Sequence, residues 1–295
     1  MNLLKSIFIG NYMMAIMGIT GYAVWMLYHG ADMVSWGGVV LTSAPLMMFI
    51  SVVMIFKNIA RTSARLPLIN VLGATGTGLT VWACYQAGAS QFYPPSVLAP
   101  VLALAAWGGF LLYAYWFSSY GGRQPSTLLK IGSTLPNFSV RNVDGTTLSS
   151  AQLTDKPAIL IFFRGNWCPL CMAQIKELVS RYKDISSLGV RVALISPQPH
   201  GNTEALAKKF GVDFDFITDE GNAAARALGI AQAHGLPMGM QMLGYDRETV
   251  LPTVIITDKN GKVIWTHETD NYRIRPEPDI YLDVLRRHRV VPTVA

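Results

Sequence analysis

The stretch Ile159-Leu-Ile-Phe-Phe-Arg-Gly-Asn-Trp-Cys-Pro-Leu-Cys171 decides how the chain is read. An apolar run with the character of a buried strand stops at Arg164-Gly165, and a Cys-x-x-Cys pair follows where a helix should begin. Behind Cys171 the residues Ile175, Leu178, Val179, Tyr182 and Ile185 recur at helical spacing, with Gln174, Lys176, Glu177, Arg181 and Lys183 between them. One face is therefore apolar, and a helix is predicted over 169–185. Pro169 suits its first position, where the missing N–H costs nothing.

A helix N-terminus offers unpaired N–H groups and the positive end of the macrodipole, so Cys168 is expected to hold its thiolate more readily than a free cysteine. On this reading Cys168 is the nucleophile. Cys171, one turn further in, attacks the mixed disulfide formed at Cys168 and releases the partner. Trp167 walls one side. Structural zinc would need four ligands, but the third cysteine, Cys84, lies in a hydrophobic span, and His29, His200, His234, His267 and His288 are scattered. No metal is expected, and the motif requires no organic cofactor. A non-catalytic pair stays open, but the strand-then-helix setting favours redox chemistry.

Outward from this centre the composition divides. The chain has 295 residues, room for two domains, and only 14% of them are charged, well below the roughly one quarter of soluble chains. Part of it is therefore expected in lipid. The net charge of +6 comes with no basic stripe interleaved with aromatics, so nucleic acid is not an expected partner. Asp32 is the only acidic residue before Asp144, and no charged residue lies between Arg65 and Arg123. Four spans fit this half, at about 7–28, 35–56, 66–87 and 97–117, each near the ~20 residues a bilayer crossing needs. Trp25, Tyr28, Trp36, Tyr93, Tyr113, Tyr115 and Trp116 crowd their ends, as an aromatic belt would.

Lys5, Lys57, Arg61, Arg65, Arg123 and Lys130 all fall on one side of such a four-span arrangement, and the opposite loops hold no Lys or Arg. The positive-inside rule makes that side cytoplasmic, so the cysteine pair is expected in the cytoplasm at a bacterial inner membrane. Gly73-Ala-Thr-Gly-Thr-Gly78 lacks the Lys-Ser/Thr ending of a phosphate loop, so close helix packing is the better reading. The domains are thus a four-span membrane domain at 1–120, a linker at 121–130 marked by Gly121-Gly-Arg-Gln-Pro-Ser126, and a second domain at 131–295.

In that second domain strands and helices alternate. Strands are predicted at 158–163, 190–195, 214–218, 253–257 and 262–267, and helices at 169–185, 203–210, 222–228 and 277–287. Turns are expected at Asn142-Val-Asp-Gly145 and Asp258-Lys-Asn-Gly261. The fold class is α/β, a mixed sheet flanked by helices, joined to a membrane α-helical domain.

Phe162-Phe-Arg-Gly-Asn-Trp-Cys-Pro-Leu-Cys171, Ile195-Ser-Pro-Gln198, Phe216-Ile-Thr-Asp-Glu-Gly-Asn222 and Leu251-Pro-Thr-Val-Ile-Ile-Thr-Asp258 carry a family resemblance. Residues from about 131 to 289 resemble the thioredoxin superfamily, and within it the peroxiredoxin-like AhpC/TSA group. The resemblance implies a thiol-dependent oxidoreductase that reduces peroxides or protein disulfides, with a cellular dithiol as electron donor. It also implies a cis-proline at Pro252, packed against the cysteine pair. The peroxiredoxin pattern Pro-x-x-x-Thr/Ser-x-x-Cys is not kept: with Cys171 as the reacting residue, Arg164 takes the proline's place and Cys168 the hydroxyl's, while Pro252 stands where an arginine is expected. Arg164 is a candidate to stabilise a thiolate or orient a peroxide, with a solvated surface arginine as the alternative. His234, Met238, Met240 and Met242 suggest an adaptable flap over the cysteines, with copper(I) handling as the rival from another class. The remaining expected partner is the lipid bilayer, and homo-oligomerisation is compatible with the sequence.

Overall fold

A computed structural model describes residues 2–55, 63–88 and 94–290. The chain separates into two compact units, one from Ile7 to Ser119 and one built on the residues from Tyr120 onward.

The first unit holds α1 (Asn2–Tyr28), α2 (Met33–Ile55), α3 (Pro67–Gly88) and α4 (Pro94–Leu111), which runs into a π-helical turn at Leu112–Phe117. Among the described residues, three stretches are long and apolar enough to cross a membrane: Leu3–Tyr28, Met33–Val53 and Val97–Phe117. The helix α3 occupies the place of the third expected span, at about 66–87, but falls outside that group. Asn70, Thr75, Thr77, Thr80, Gln86 and its glycines dilute its hydropathy. Those small residues instead permit contact: a Cβ at Gly73 would stand 2.5 Å from the Trp107 ring, and one at Gly38 would stand 2.7 Å from the Gly76 carbonyl. The indole of Trp107 donates to Asn70 Oδ1 at 3.0 Å. Residues 73–78 thus serve close helix packing, as small residues do in membrane bundles. Of the expected aromatic belt, Trp25, Tyr28 and Tyr115 are exposed, but Trp36 and Tyr113 are buried among the helices, Trp36 beside Ala23, Val39, Ala99 and Ala103. Small partners leave room for a large ring there. Lys57, Arg61 and Tyr93 lie outside the described residues.

The second unit is a seven-stranded mixed sheet. Its elements are β1 (Ser139–Asn142), β2 (Thr147–Ser149), α5 (Ser150–Leu153), β3 (Ala158–Phe162), α6 (Pro169–Ser180), α7 (Tyr182–Ser186), β4 (Arg191–Ser196), α8 (His200–Phe210), β5 (Asp215–Thr218), α9 (Ala223–Ala227), β6 (Ala231–Gln232), β7 (Thr249–Val250), β8 (Thr253–Thr257), β9 (Val263–Glu268) and α10 (Pro278–Arg287). The sheet order is β2-β1-β5-β4-β3-β8-β9, and β6 pairs separately with β7. Parallel pairing runs β3 to β4 to β5, while β8 and β9 join antiparallel. Every residue of β3 is buried, because it lies inside the sheet and both its faces are covered. Leu160 and Phe162 enter a core with Phe138, Ile195, Ile217, Leu228 and Ile255. This mixed sheet with flanking helices is the thioredoxin-like α/β class.

The predicted helix over 169–185 is two helices. Arg181 leaves helical geometry at φ −103° and ψ 17°, and the second piece continues from Tyr182. Gln174, expected on the polar face, is buried and donates to the Tyr281 hydroxyl at 2.9 Å. The stretch read as a linker is bonded down. Arg123 reaches Glu268 at 3.2 Å, the Pro252 carbonyl at 2.9 Å and Thr253 Oγ1 at 2.8 Å, and Ser126 Oγ donates to the Leu228 carbonyl at 2.6 Å.

Candidate active site

The site forms where β3 ends. In register, Phe162 faces Ile195 of β4 on one side and Thr253 of β8 on the other. The chain then passes Phe163, whose N–H donates to the Ile195 carbonyl, and turns at Gly165 to bring two thiols to the start of α6. That turn requires glycine. Gly165 sits at φ +143°, and a Cβ there would lie 2.7 Å from the Trp167 indole nitrogen. Cys168 is the N-cap, Pro169 opens the helix, and the Cys171 and Cys168 sulfurs stand 2.8 Å apart, hydrogen-bonded and unbridged.

Both sulfurs are buried, Cys168 at 1% exposure and Cys171 at 0%. Burial alone would keep both neutral, so their surroundings decide which one ionises. For Cys171, burial is the largest effect and raises the pKa, but the opposing contributions together win. They are the hydrogen bond with Cys168, the Arg275 charge, the backbone N–H of Arg164 and the Arg164 guanidinium, and they bring it down to about 6. Burial pushes Cys168 well up, reinforced by its hydrogen bond to Cys171 and by the Cys171 charge, and the arginines do not compensate. The two sulfurs share a hydrogen bond, and their surroundings lower the Cys171 pKa and raise that of Cys168. These directions differ from the one the helix terminus alone suggests. Cys168 makes no side-chain capping bond to the helix N–H groups, so the feature expected to favour its thiolate is not engaged.

Arg164 is buried, which removes the reading of it as a solvated surface residue. Its Nη2 donates to the Gly235 carbonyl, and its guanidinium carbon lies 4.7 Å from the Trp167 ring centroid and 5.7 Å from that of Tyr272. Burial works against its charge, yet Tyr120 and the two cysteines outweigh it, and the pKa rises. Trp167 is half-buried, with its Nε1 enclosed and without a hydrogen-bond partner among the described residues. Ahead of it, the Asn166 N–H donates to Gln198 Oε1 at 2.8 Å, and Tyr245 donates its hydroxyl proton to Asn166 Oδ1.

Pro252 is buried at the start of β8, but no cis peptide bond occurs among the described residues. The expected cis-proline is therefore trans. Leu251 N–H donates to the Ile230 carbonyl, and the Pro252 carbonyl accepts from Arg123, which holds the chain extended on its way into β8. Its acceptor is thus occupied rather than offered to a substrate strand.

The methionine run lies largely at the surface. Met238 and Met242 are exposed, Met242 at 92%, and His234 is exposed at positive φ. With the thiols fully enclosed, the structure does not gather these residues into one ligand set. The bond from this segment to the site is the Gly235 carbonyl, which accepts from Arg164. Two residues escaped the sequence reading, Tyr120 and Arg275. Arg275 follows β9 in an irregular stretch with no periodicity, and Tyr120 lies just past the last apolar helix, so neither gave a signal beyond its residue type.

Part of the chain is similar to known proteins. Residues 131–266 match the model of the AhpC/TSA family. Chloroplastic peroxiredoxin Q of Triticum aestivum is 30% identical over 121 residues, covering 41% of this chain and 56% of that protein. The thiol-disulfide oxidoreductase ResA of Geobacillus thermodenitrificans is 26% identical over 164 residues, covering 55% of this chain and 80% of that protein. The chain thus spans little more than half the length of the wheat relative. Among solved structures, peroxidoxin BcpB of Mycobacterium tuberculosis superposes with a TM-score of 0.45 at 20% identity, over 54% of this chain and 97% of that one. With its strand, its turn at Gly165 and its thiol pair at the mouth of α6, the unit that follows the apolar helices is similar, over residues 131–266, to the AhpC/TSA family.

Proposed function

We propose that this domain is a thiol-dependent peroxidase, carried at a membrane by the apolar helices, in which Cys171 attacks and Cys168 resolves. The observation that carries the reading is the pair of buried sulfurs 2.8 Å apart, with the Cys171 thiolate favoured by Arg164 and Arg275. The thiolate of Cys171 takes the terminal oxygen of a peroxide: an S–O bond forms, the O–O bond breaks, and the alcohol or water leaves with a proton. Cys168 then attacks the sulfenic sulfur, closes the disulfide and releases water. A cellular dithiol returns the two electrons by exchange. Cys168 occupies the position of the peroxiredoxin hydroxyl and serves twice, as proton donor to the thiolate and as resolving thiol.

Enclosure of both sulfurs favours a small oxidant over a folded protein disulfide, which could not reach them without an opening motion. Disulfide exchange is the second reading, favoured by the likeness to ResA. One equivalent of hydrogen peroxide decides between them: rapid loss of both thiols, with dimedone trapping a sulfenic acid at Cys171 in Cys168→Ser, supports the peroxidase. Oxidation no faster than that of free cysteine would leave only exchange.

The domain plan extends this proposal, with a membrane part at 1–120, the tethered stretch 121–130 and the redox domain at 131–295, on the cytoplasmic side. A membrane-impermeant thiol reagent applied to intact cells tests the side, and labelling of the pair from outside would reverse it.

A further inference from the structure

Between β6 and β7 the chain leaves the sheet for a one-turn helix, Met240–Leu243, bracketed by Gly239 at φ +95° and Gly244 at φ +82°. None of its residues is buried. Met242 and Leu243 on this turn, and Met238 just before it, are all exposed. Exposed apolar side chains scattered singly need no explanation, but three within the stretch 238–243 form a patch of the kind that meets an apolar partner. From Gly235 to Gly244 there is no Asp, Glu, Lys or Arg, so the loop can enter an apolar layer without desolvating a charged side chain.

The way the loop is tied down identifies that partner. The Met238 N–H donates to the Ser6 carbonyl at 3.1 Å, and Ser6 Oγ donates to the Leu236 carbonyl. Ser6 lies in the first turns of α1, and the chain up to Ser6 packs with the redox unit. Those same residues open the apolar stretch Leu3–Tyr28, and Leu3 and Leu4 are exposed. At 1.5 Å per residue the stretch is about 39 Å long, against a hydrocarbon core of ~30 Å, so its first turn lies at headgroup level. Lys5 agrees with that depth, since a charge so near the end of a span belongs among the headgroups. A loop bonded to Ser6 stands at the same level, and lipid is the apolar partner within its reach.

We propose that Met238, Met242 and Leu243 insert into the interfacial layer of the bilayer, so that lipid holds the redox unit through this loop as well as through its covalent link to the apolar helices. The proposal rests on the reading of those helices as membrane-spanning. The loop begins beside Gly235, whose carbonyl accepts from Arg164, so insertion keeps the thiol-bearing turn close to the lipid surface.

The test is spin labelling of the full-length protein in nanodiscs of phosphatidylcholine and phosphatidylglycerol, in a Cys84→Ala, Cys168→Ser, Cys171→Ser background. Labels are placed at Met242→Cys, at Lys208→Cys on the exposed side of α8 and at Met14→Cys on the exposed side of α1. Power saturation with oxygen, which concentrates in lipid, and with a water-soluble nickel chelate reads the depth of each. The oxygen-to-nickel accessibility ratio is expected to be several-fold higher at Met242→Cys than at Lys208→Cys, and highest at Met14→Cys. Equal ratios at Met242→Cys and Lys208→Cys, with Met14→Cys in lipid, overturn the insertion while leaving the spanning helices standing. A Met242→Cys label screened from both reagents, as a second protein seated there would give, also overturns it. A water-like ratio at Met14→Cys overturns the spanning reading and the insertion with it.

Discussion

Replacing Cys168 separates its two roles, because serine keeps a donor beside Cys171 and alanine does not. The Cys171 thiolate, with its pKa near 6, should be roughly nine-tenths ionised at pH 7, where an ordinary thiol is ionised to a few per cent. A hydrogen bond to a charged acceptor contributes about 1.5–3 kcal/mol, and about 1.4 kcal/mol corresponds to one pH unit. Loss of the donor in Cys168→Ala should therefore raise the Cys171 midpoint by about one to two pH units, while Cys168→Ser should leave it near its original place. At pH 7 the thiolate then falls from about nine-tenths to between roughly a tenth and a half, with a matching drop in iodoacetamide reactivity. The assay is thiolate absorbance near 240 nm against pH, in a Cys84→Ala background so that only the pair titrates. In Cys171→Ser, the remaining Cys168 should titrate above an ordinary cysteine, since burial persists and the arginines do not offset it. A Cys168→Ala midpoint that stays near 6, or a lone Cys168 that titrates there, would show that the low proton belongs to the other sulfur and that the arginines do not select between them.

Stability of the reduced domain should rise with pH between about 6 and about 8.5: the Cys171 pKa is lower folded than unfolded, so in that window the unfolded state binds more protons. Its contribution is fully present above the unfolded value and is lost as pH falls through 6, and a thermal melt whose difference from Cys171→Ser does not grow with pH contradicts the assignment. Glu268→Gln should destabilise the domain by about 3–5 kcal/mol, because it strands the Arg123 charge in a pair whose side chains are each only 4% exposed; chemical denaturation showing less than about 1 kcal/mol would mean that Arg123 stays satisfied by Pro252 and Thr253 alone. Gly165→Ala forces a side chain into positive φ and against the Trp167 ring, so a loss of about 1–3 kcal/mol and a shifted Trp167 emission are expected, and an unchanged spectrum would show that the turn does not hold the indole.

Much of the site was legible because its cause is local. Pro169 at the first helical position, the buried run before Arg164 and the turn at Gly145, where φ is +86°, follow from residue type and near neighbours. The identity of the thiolate was not legible. A helix terminus is visible in sequence and points to Cys168, but the charge that favours Cys171 comes partly from Arg275, far along the chain in an irregular stretch. Gln174 shows the same limit: its spacing puts it on the polar face, and only the packing of α10 supplies the Tyr281 hydroxyl that permits its burial. The paired β6 and β7 are two residues each, too short to display a period. In α3 the pattern was read correctly at Gly73–Gly78 and too generously for the whole span, since the residues that favour helix contact are the ones that reduce affinity for lipid.

The enclosure of the sulfurs and the lowered Cys171 pKa are two sides of one arrangement. In a dry site an unpaired thiolate would be driven back to the thiol, so burial can coexist with ionisation only where fixed charges and donors replace water. Here the Arg164 backbone N–H, its guanidinium, Arg275 and the Cys168 thiol take that part. Because they are already in place, little reorganisation is needed when charge moves from sulfur onto a departing oxygen. The same construction makes Cys168 the natural second actor: once its proton is no longer needed by the thiolate, it stands within contact distance of the oxidised sulfur. A single neutralising change at Arg164 should therefore slow both sulfenic acid formation and disulfide closure, whereas a change at the exposed Met242 should slow neither.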